Sequence, residues 1–114
     1  MDSECIFCSM AARKVDVKLL HENDNWIAVK DIDPKAPSHL LIIPRSHVKE
    51  LTDLRDVASG MLRGMFSAIS DVAIQENLIE TGYRLIVNQG SDSGQEIEHL
   101  HLHIIGGRRL GAMG

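Results

Sequence analysis

His99-Leu100-His101-Leu102-His103-Ile104-Ile105 decides both the fold and the chemistry of this chain, because it places three of the six histidines at alternate positions. In an extended strand, successive side chains point to opposite faces, so the three imidazoles share one face while Leu100, Leu102 and Ile104 face the other. An imidazole can act as a base, a nucleophile or a metal ligand near physiological pH. The histidine row therefore predicts a strand with one apolar face and one functional face.

Two other interpretations of the histidine row are open on these residues alone. In the first, the strand simply exposes histidines to solvent on its polar face, without any chemistry. Alternatively, the three imidazoles hold one catalytic zinc ion whose open coordination position activates water.

Length and composition limit the classes of protein that this chain can belong to. The 114 residues suffice for one domain and are too few for two, so we expect a single domain over 1–114. A net charge of −4 disfavours binding to a nucleic acid polymer. No apolar run approaches the roughly 20 residues that span a bilayer, and 1–4 lack the features of a signal peptide. We therefore expect a cytoplasmic protein that does not bind a membrane.

Hydrophobic patterning predicts the order strand, strand, strand, helix, strand, strand. The predicted strands are 17–21, 26–31, 39–44, 83–88 and the histidine row, the long amphipathic helix runs from Leu54 to between 77 and 82, and a short helical turn covers 9–14. The segment 39–44 is almost continuously apolar, so we expect it at the centre of the sheet. The predicted fold class is α+β, with an antiparallel sheet of about five strands, one long helix and a short N-terminal helix.

Several segments together resemble the histidine triad family of nucleotide hydrolases and transferases. They are the histidine row, the residues Asn88, Gly90, Gly94 and Gln95 before it, and the stretches 31–44, 46–48 and 106–108. The similarity runs from about Cys5 to Arg109, which is nearly the whole chain. The resemblance implies the fold of that family, a purine nucleotide ligand and a homodimer in which the long helix and one strand of each subunit meet.

The resemblance also implies roles for individual residues. His101 would attack the α-phosphorus of a nucleoside phosphate derivative and form a nucleotidyl-histidine intermediate. It must then be neutral, and its second ring nitrogen needs a hydrogen-bond acceptor such as a backbone carbonyl. His103, Asn88 and Gln95 would bind the non-bridging phosphate oxygens. We expect His39 to join this network of imidazoles as a third catalytic residue, although it could also simply end a strand.

Further residues are implied to bind the nucleoside. Asp31 would accept hydrogen bonds from the ribose hydroxyls, and the base pocket would be lined by apolar residues for which core packing is the alternative: Phe7, Val15, Val29 and Ile32. Gly94 and Glu96 complete the nucleotide-binding set. Glu96 stands where the phosphoramidase branch usually has serine or threonine. Its side chain turns away from the phosphate, is protonated beside it or hydrogen-bonds a leaving amine, and the last two options allow a role as general acid.

A second set of residues has the composition of a zinc site. In a reducing compartment, Cys5 and Cys8 at Cys-x-x-Cys spacing indicate metal binding or redox chemistry. The resemblance implies that His47 and His99 join them around a structural zinc ion, which prefers four tetrahedral thiolate and imidazole ligands. That arrangement uses only His99 from the histidine row and so argues against a catalytic three-histidine zinc. A pair of buried reduced thiols is the alternative.

The leading hypothesis is an enzyme that cleaves purine nucleoside phosphoramidates, or related nucleotide conjugates, at the α-phosphorus. A hydrolase of dinucleoside polyphosphates such as diadenosine tetraphosphate is the first alternative. A non-catalytic adaptor that binds nucleotides in the same pocket is the second.

Overall fold

The computed structural model describes residues 5–114, which form an α+β fold built on one antiparallel sheet. The elements in chain order are α1 (Ile6–Ala11), β1 (His21–Glu22), β2 (Trp26–Lys30), β3 (Ser38–Pro44), α2 (Ser59–Gln75), β4 (Tyr83–Val87) and β5 (Leu102–Gly106), with 3-10 turns at Leu51–Leu54 and Ser91–Ser93. The strands lie in the order β1-β2-β3-β5-β4, and each neighbouring pair is antiparallel. The predicted fold class, the element order and the central position of β3 are confirmed.

Both faces of the sheet are covered, and β3 is buried along almost its whole length for this reason. On one face Leu40 and Ile42 pack in the core beneath α2. On the other face Leu41 and Ile43 pack with Phe7 of α1. Because alternate residues of β3 are buried in two different cores, one on each face of the sheet, its sequence is an almost continuous apolar run.

The hairpin between β1 and β2 is closed by a side chain. Oδ1 of Asn23 accepts hydrogen bonds from the backbone N–H groups of Asn25 (3.1 Å) and Trp26 (3.0 Å), an arrangement typical of asparagine in turns. The indole N–H of Trp26 donates to the carbonyl oxygen of Met61 at 2.8 Å, which ties β2 to α2. This tie fixes how the long helix lies across the sheet.

The structure shortens several predicted elements. The first strand is confined to β1, and Val17 and Leu19, which precede it, pack against the Phe7 core without forming a ladder. The long helix begins at Ser59, after a separate 3-10 turn, and the N-terminal helix covers Ile6–Ala11 instead of 9–14. Among residues 5–114, neither helix combines the length and the apolar character needed to cross a bilayer.

The hydrogen-bonded strand that contains the histidine row begins three residues later than its alternation predicts, at Leu102 instead of His99. β5 begins at Leu102, because the backbone N–H of Leu100 is bonded to the carbonyl of Val48 and not to a neighbouring strand. The alternation of faces nevertheless persists through the irregular part, since Leu100, Leu102 and Ile104 all lie in the core beneath α2. The three imidazoles are therefore on the α1 side of the sheet.

Candidate active site and metal centre

His101 is a buried side chain whose ring is fixed by its own backbone neighbourhood. Its Nδ1–H donates to the carbonyl oxygen of His99 at 2.8 Å. A carbonyl can only accept, so the proton of the neutral ring is on Nδ1 and Nε2 keeps its lone pair. The ring of Phe7 packs edge-on against it, with centroids 4.9 Å apart. An oriented neutral imidazole of this kind is suited to nucleophilic attack.

Two consecutive hydrogen bonds fix His103 in the tautomer opposite to that of His101, with the proton on Nε2 instead of Nδ1. The backbone N–H of Lys35 donates to Nδ1 of His39 at 3.0 Å, so the proton of the neutral His39 ring is on Nε2. That nitrogen lies 2.9 Å from Nδ1 of His103 and donates to it. His103 therefore carries its own proton on Nε2, a buried atom with no hydrogen-bond partner among the described residues. A buried donor without a partner is costly and points to a ligand that completes it.

The electrostatics of these imidazoles agree with neutral rings. The pKa of His103 is lowered from 6.5 to about 4, chiefly by burial and in smaller part by the adjacent His101 and His39. Burial also lowers the pKa of His39, although the carboxylate of Asp31 partly opposes this effect. At neutral pH both rings are uncharged, as their hydrogen bonds require.

These side chains line a cavity of ≈ 480 Å³ on the α1 side of the sheet. Strand register explains the surroundings of His103, because Leu41 of β3 and Ile86 of β4 are its direct partners on either side. The loop at the other wall turns at Gly90 and Gly94, both at positive φ, and is tied by the side chain of Gln95. Oε1 of Gln95 accepts from the backbone N–H of Gly90 at 2.9 Å, and its Nε2 donates to the carbonyl of Ile97 at 3.1 Å.

A cluster of four potential metal ligands lies behind the histidine row. Nδ1 of His99 lies 3.3 Å from Sγ of Cys5 and 3.4 Å from Sγ of Cys8. Sγ of Cys8 also lies 3.1 Å from Nδ1 of His47. Thiolate sulfur and imidazole nitrogen around one tetrahedral ion are separated by about 3.6 Å. Nε2–H of His99 donates to the carbonyl of Pro44 at 2.9 Å, which turns its Nδ1 lone pair towards the thiols. The donor set and the outer hydrogen bond both fit a metal ion.

A second cluster, Asp31, His39 and His103, brings its ligand atoms equally close but has unsuitable chemistry. A metal-bound histidine usually donates its other ring N–H to an acceptor. Nδ1 of His39 instead accepts from the backbone of Lys35, so Nε2 holds the proton and cannot bind a metal while the ring is neutral. These residues therefore form a hydrogen-bond network that fixes the positions of the ring protons. Within 5–114, no cluster of potential metal-ligand atoms joins all three imidazoles of the histidine row.

A family model described as the HIT domain, or histidine triad domain, matches residues 12–110. The chain belongs to the HIT family. The purine nucleoside phosphoramidase of Escherichia coli strain K12 is 37% identical to this HIT protein over 113 residues, covering 99% of this chain and 95% of the relative. This similarity identifies a hydrolase of the HIT type.

Solved structures of HIT proteins agree with the fold. A HIT family hydrolase from Legionella pneumophila Philadelphia 1 superimposes with a TM-score of 0.87 at 40% identity, covering 95% of this chain and 96% of that one. A zinc-bound histidine triad family protein from Mycobacterium smegmatis has a TM-score of 0.77 at 28% identity, covering 99% of this chain and 81% of that one.

Most residues that the sequence analysis assigned to the nucleotide site line the cavity of this HIT protein. They are Phe7, Asp31, Ile32, His39, Asn88, Gly94, Gln95, Glu96, His101 and His103. Two residues assigned to the base pocket are not among these lining residues. Val15 lines a separate pocket together with Arg13 and Val17, and Val29 is 1% exposed in the core with Phe7. Val29 packs beside Phe7 and Leu41, which both line the cavity. The assignment of Val15 and Val29 to the base pocket stays a prediction.

Several further residues of the cavity wall were not predicted from the sequence. They are Ile6, Met10, Lys30, Asp33, Lys35, Leu41, Ile86, Ile97 and Ile105. Ile6 and Met10 are four residues apart on α1 and so share a helical face, while Ile105 continues the alternation of His101 and His103. These three could have been found from periodicity. Leu41 and Ile86 required the strand register.

Proposed function

We propose that this HIT protein hydrolyses purine nucleoside phosphoramidates at the α-phosphorus through a nucleotidyl intermediate on Nε2 of His101. The observation that carries the proposal is the pair of opposite tautomers. His101 offers a lone pair on Nε2, while His103, whose ring centroid is 5.0 Å away, offers an unpartnered N–H. One atom is suited to attack phosphorus and the other to stabilise a phosphoryl oxygen.

The reaction proceeds in two displacements. In the first, Nε2 of His101 forms a bond to phosphorus as the phosphoramidate P–N bond breaks, and the departing amine takes up a proton. In the second, water attacks phosphorus, the bond to His101 breaks and the water loses a proton. The imidazole returns to its neutral state, so the net reaction consumes one water.

His103 stabilises the charge that develops on the phosphoryl group. Its Nε2–H is directed by the hydrogen bond from His39 and lies in a buried position that faces no other partner among the described residues. Removal of one preorganised donor of this type commonly costs about 10²–10³ in rate. Asn88, Gly94 and Gln95 contribute further polar groups from the facing loop.

The nucleoside half of the substrate occupies the part of the cavity that adjoins α1. Asp31 binds the ribose hydroxyls, and the base lies against the apolar side chains of Ile6, Phe7, Met10 and Ile32. Ile32 is 97% exposed, and a purine ring would cover it. The purine preference is supported by the similarity to the E. coli phosphoramidase.

The four-residue cluster Cys5, Cys8, His47 and His99 holds a structural zinc ion in this proposal. The tetrahedral donor set and the zinc-bound M. smegmatis relative support it. When bound, zinc links α1 to the segment that precedes β5 and supplies folding stability. His99 also accepts the hydrogen bond of His101 through its carbonyl, so its position matters to the nucleophile.

The protein acts as a homodimer in the same proposal. β4 is an edge strand of the sheet, and its Tyr83 and Leu85 are large apolar side chains that remain exposed. On α2, Phe66 and Ile74 are 61% and 62% exposed. An exposed edge strand and exposed apolar side chains on a helix are both features that a second subunit would cover.

The test compares adenosine monophosphoramidate with diadenosine tetraphosphate as substrates, with metal content measured on the same sample. We expect turnover of the phosphoramidate and an acid-labile adenylyl label on the protein after rapid quenching. His101→Asn should abolish both, lowering turnover by about 10⁴-fold or more. Preferred cleavage of diadenosine tetraphosphate would favour the polyphosphate hydrolase, and nucleotide binding without any turnover would favour the adaptor.

A further inference from the structure

The proton on Nε2 of His39 has two acceptors within reach. Nδ1 of His103 lies 2.9 Å away and Oδ2 of Asp31 lies 3.4 Å away. The other carboxylate oxygen, Oδ1, accepts the backbone N–H of Asp33 at 2.8 Å, which fixes the orientation of the carboxylate. The side chain of His39 is 3% exposed and that of Asp31 is 20% exposed, so only Asp31 is open to a ligand.

We propose that Asp31 is a positioning residue through which ribose binding directs the His39 proton to His103 and thereby prepares His103 to donate to the phosphoryl group. This inference deepens the proposed function, on which it rests. The ligand group that it recognises is a hydroxyl on the sugar, and the step that it affects is the attack on phosphorus.

Competition for a single proton is the physical basis of this coupling. A carboxylate is a stronger hydrogen-bond acceptor than a neutral imidazole nitrogen, because its charge assists the bond. When Oδ2 of Asp31 attracts the His39 proton, Nδ1 of His103 loses its donor and the Nε2–H tautomer of His103 loses its preference. A ribose hydroxyl that donates to Oδ2 satisfies the carboxylate, and the His39 proton then serves His103 alone.

His39 cannot avoid this choice by changing its own tautomer. Its Nδ1 is occupied by the backbone N–H of Lys35, a donor that only a substitution by proline would remove. The carbonyl of the same residue accepts from Arg108 at 3.1 Å, which helps to hold this loop in place. The proton therefore stays on Nε2, between Asp31 and His103.

The first test separates rate from binding in single-turnover measurements. Adenosine phosphoramidate and its 2′,3′-dideoxy counterpart are compared for the nucleotidylation rate constant and for the concentration that gives half the maximal rate. In the unmodified protein we expect the dideoxy substrate to react about tenfold more slowly at saturation, which is the effect of one hydrogen bond. Its half-saturating concentration should also rise, because the contact with Asp31 is lost.

Substitution of His39 distinguishes the relay from simple ribose binding. In His39→Leu the saturating rates of the two substrates should become equal, whereas their difference in half-saturating concentration should persist. His39→Gln can still accept from Lys35 and donate to His103, so it should restore part of the difference in rate. A ratio of saturating rates that stays the same in His39→Leu, or that is already one in the unmodified protein, would overturn the proposal.

His21 provides a matched control. Its Nε2 lies 3.4 Å from Oδ2 of Asp71, the same separation as in the Asp31–His39 pair, but it lies outside the cavity wall. His21→Leu should leave both differences unchanged.

The second test needs neither turnover nor a variant. In ¹⁵N-histidine NMR of the whole chain, AMP should shift His103 towards the Nε2–H tautomer, and 2′,3′-dideoxy-AMP should bind with a smaller shift. Equal spectra of His103 with the two bound nucleotides would refute the relay. Because this measurement uses binding alone, it stays decisive if His39→Leu fails to fold, and it is independent of the nucleotidyl-histidine intermediate.

Discussion

The depressed pKa of His103 predicts a specific loss of stability in acid. Its pKa is lowered from 6.5 to about 4, chiefly by burial. The unfolded chain therefore takes up a proton at this site below pH 6.5, while the folded protein resists protonation until pH 4 is approached. Unfolding then binds a proton, so the free energy of unfolding rises with pH across this window and is lost as the pH falls through it.

The size of the effect follows from the same values. One pKa unit corresponds to 1.36 kcal/mol, so a lowering from 6.5 to about 4 corresponds to about 3 kcal/mol. This contribution is absent at pH 7, where both states are neutral, and is fully expressed as destabilisation near pH 4. It is large relative to the stability of a domain, which is commonly about 5–15 kcal/mol.

The assay is urea unfolding followed by far-ultraviolet circular dichroism at pH 7, 6, 5 and 4. The protein and His103→Asn are compared, because the difference between them removes the contributions of all other titrating groups and of the metal site. We expect the variant to gain stability relative to the original by about 3 kcal/mol between pH 7 and pH 4. Ile86→Val, a change in the direct strand partner of His103, controls for altered packing and should show a difference that is constant with pH. A constant difference for His103→Asn as well would refute the reasoning.

Three further predictions concern the chemistry and the assembly. Glu96→Gln should slow hydrolysis of a phosphoramidate with a poorly leaving amine by about a hundredfold while sparing one with an acidic leaving group, and equal rates would remove Glu96 as general acid. Chelation, or Cys8→Ser, should lower Tm by about 5 °C or more together with the zinc content, whereas an unchanged Tm would argue against a structural ion. Leu85→Glu should convert a dimer to a monomer in light scattering, and Glu80→Gln, on the loop before β4, should not.

Periodicity predicted the faces of this fold better than its boundaries. The alternation in the histidine row correctly assigned Leu100, Leu102 and Ile104 to the core, even though the strand itself begins only at Leu102. A side chain's face depends on local backbone geometry, which the residue pattern reflects. Where a strand begins depends on pairing, and here the carbonyl of Val48 takes the N–H of Leu100.

The part of the candidate site that contains unusual residue patterns could be predicted from the sequence. The part whose geometry depends on the path of a loop could not. Three histidines at alternate positions indicated a functional site. The resemblance to a family predicted that His47 and His99 lie close to the two cysteines, and the structure places all four in one cluster. The tautomer of His39 could not be inferred, because it depends on a backbone N–H from Lys35 that the loop happens to bring within 3.0 Å. The apolar character of Val15 does not indicate which cavity it lines, and in the structure it lines a pocket with Arg13 and Val17.

The only tryptophan of the chain, Trp26, has a practical consequence for all these measurements. Its indole is fully buried between β2 and α2 and is bonded to Met61, on the face of the sheet opposite the cavity. Its fluorescence emission should therefore shift to longer wavelength when α2 detaches and stay constant while nucleotide fills the cavity. The protein thus contains an intrinsic fluorophore that monitors helix docking without interference from ligand titration.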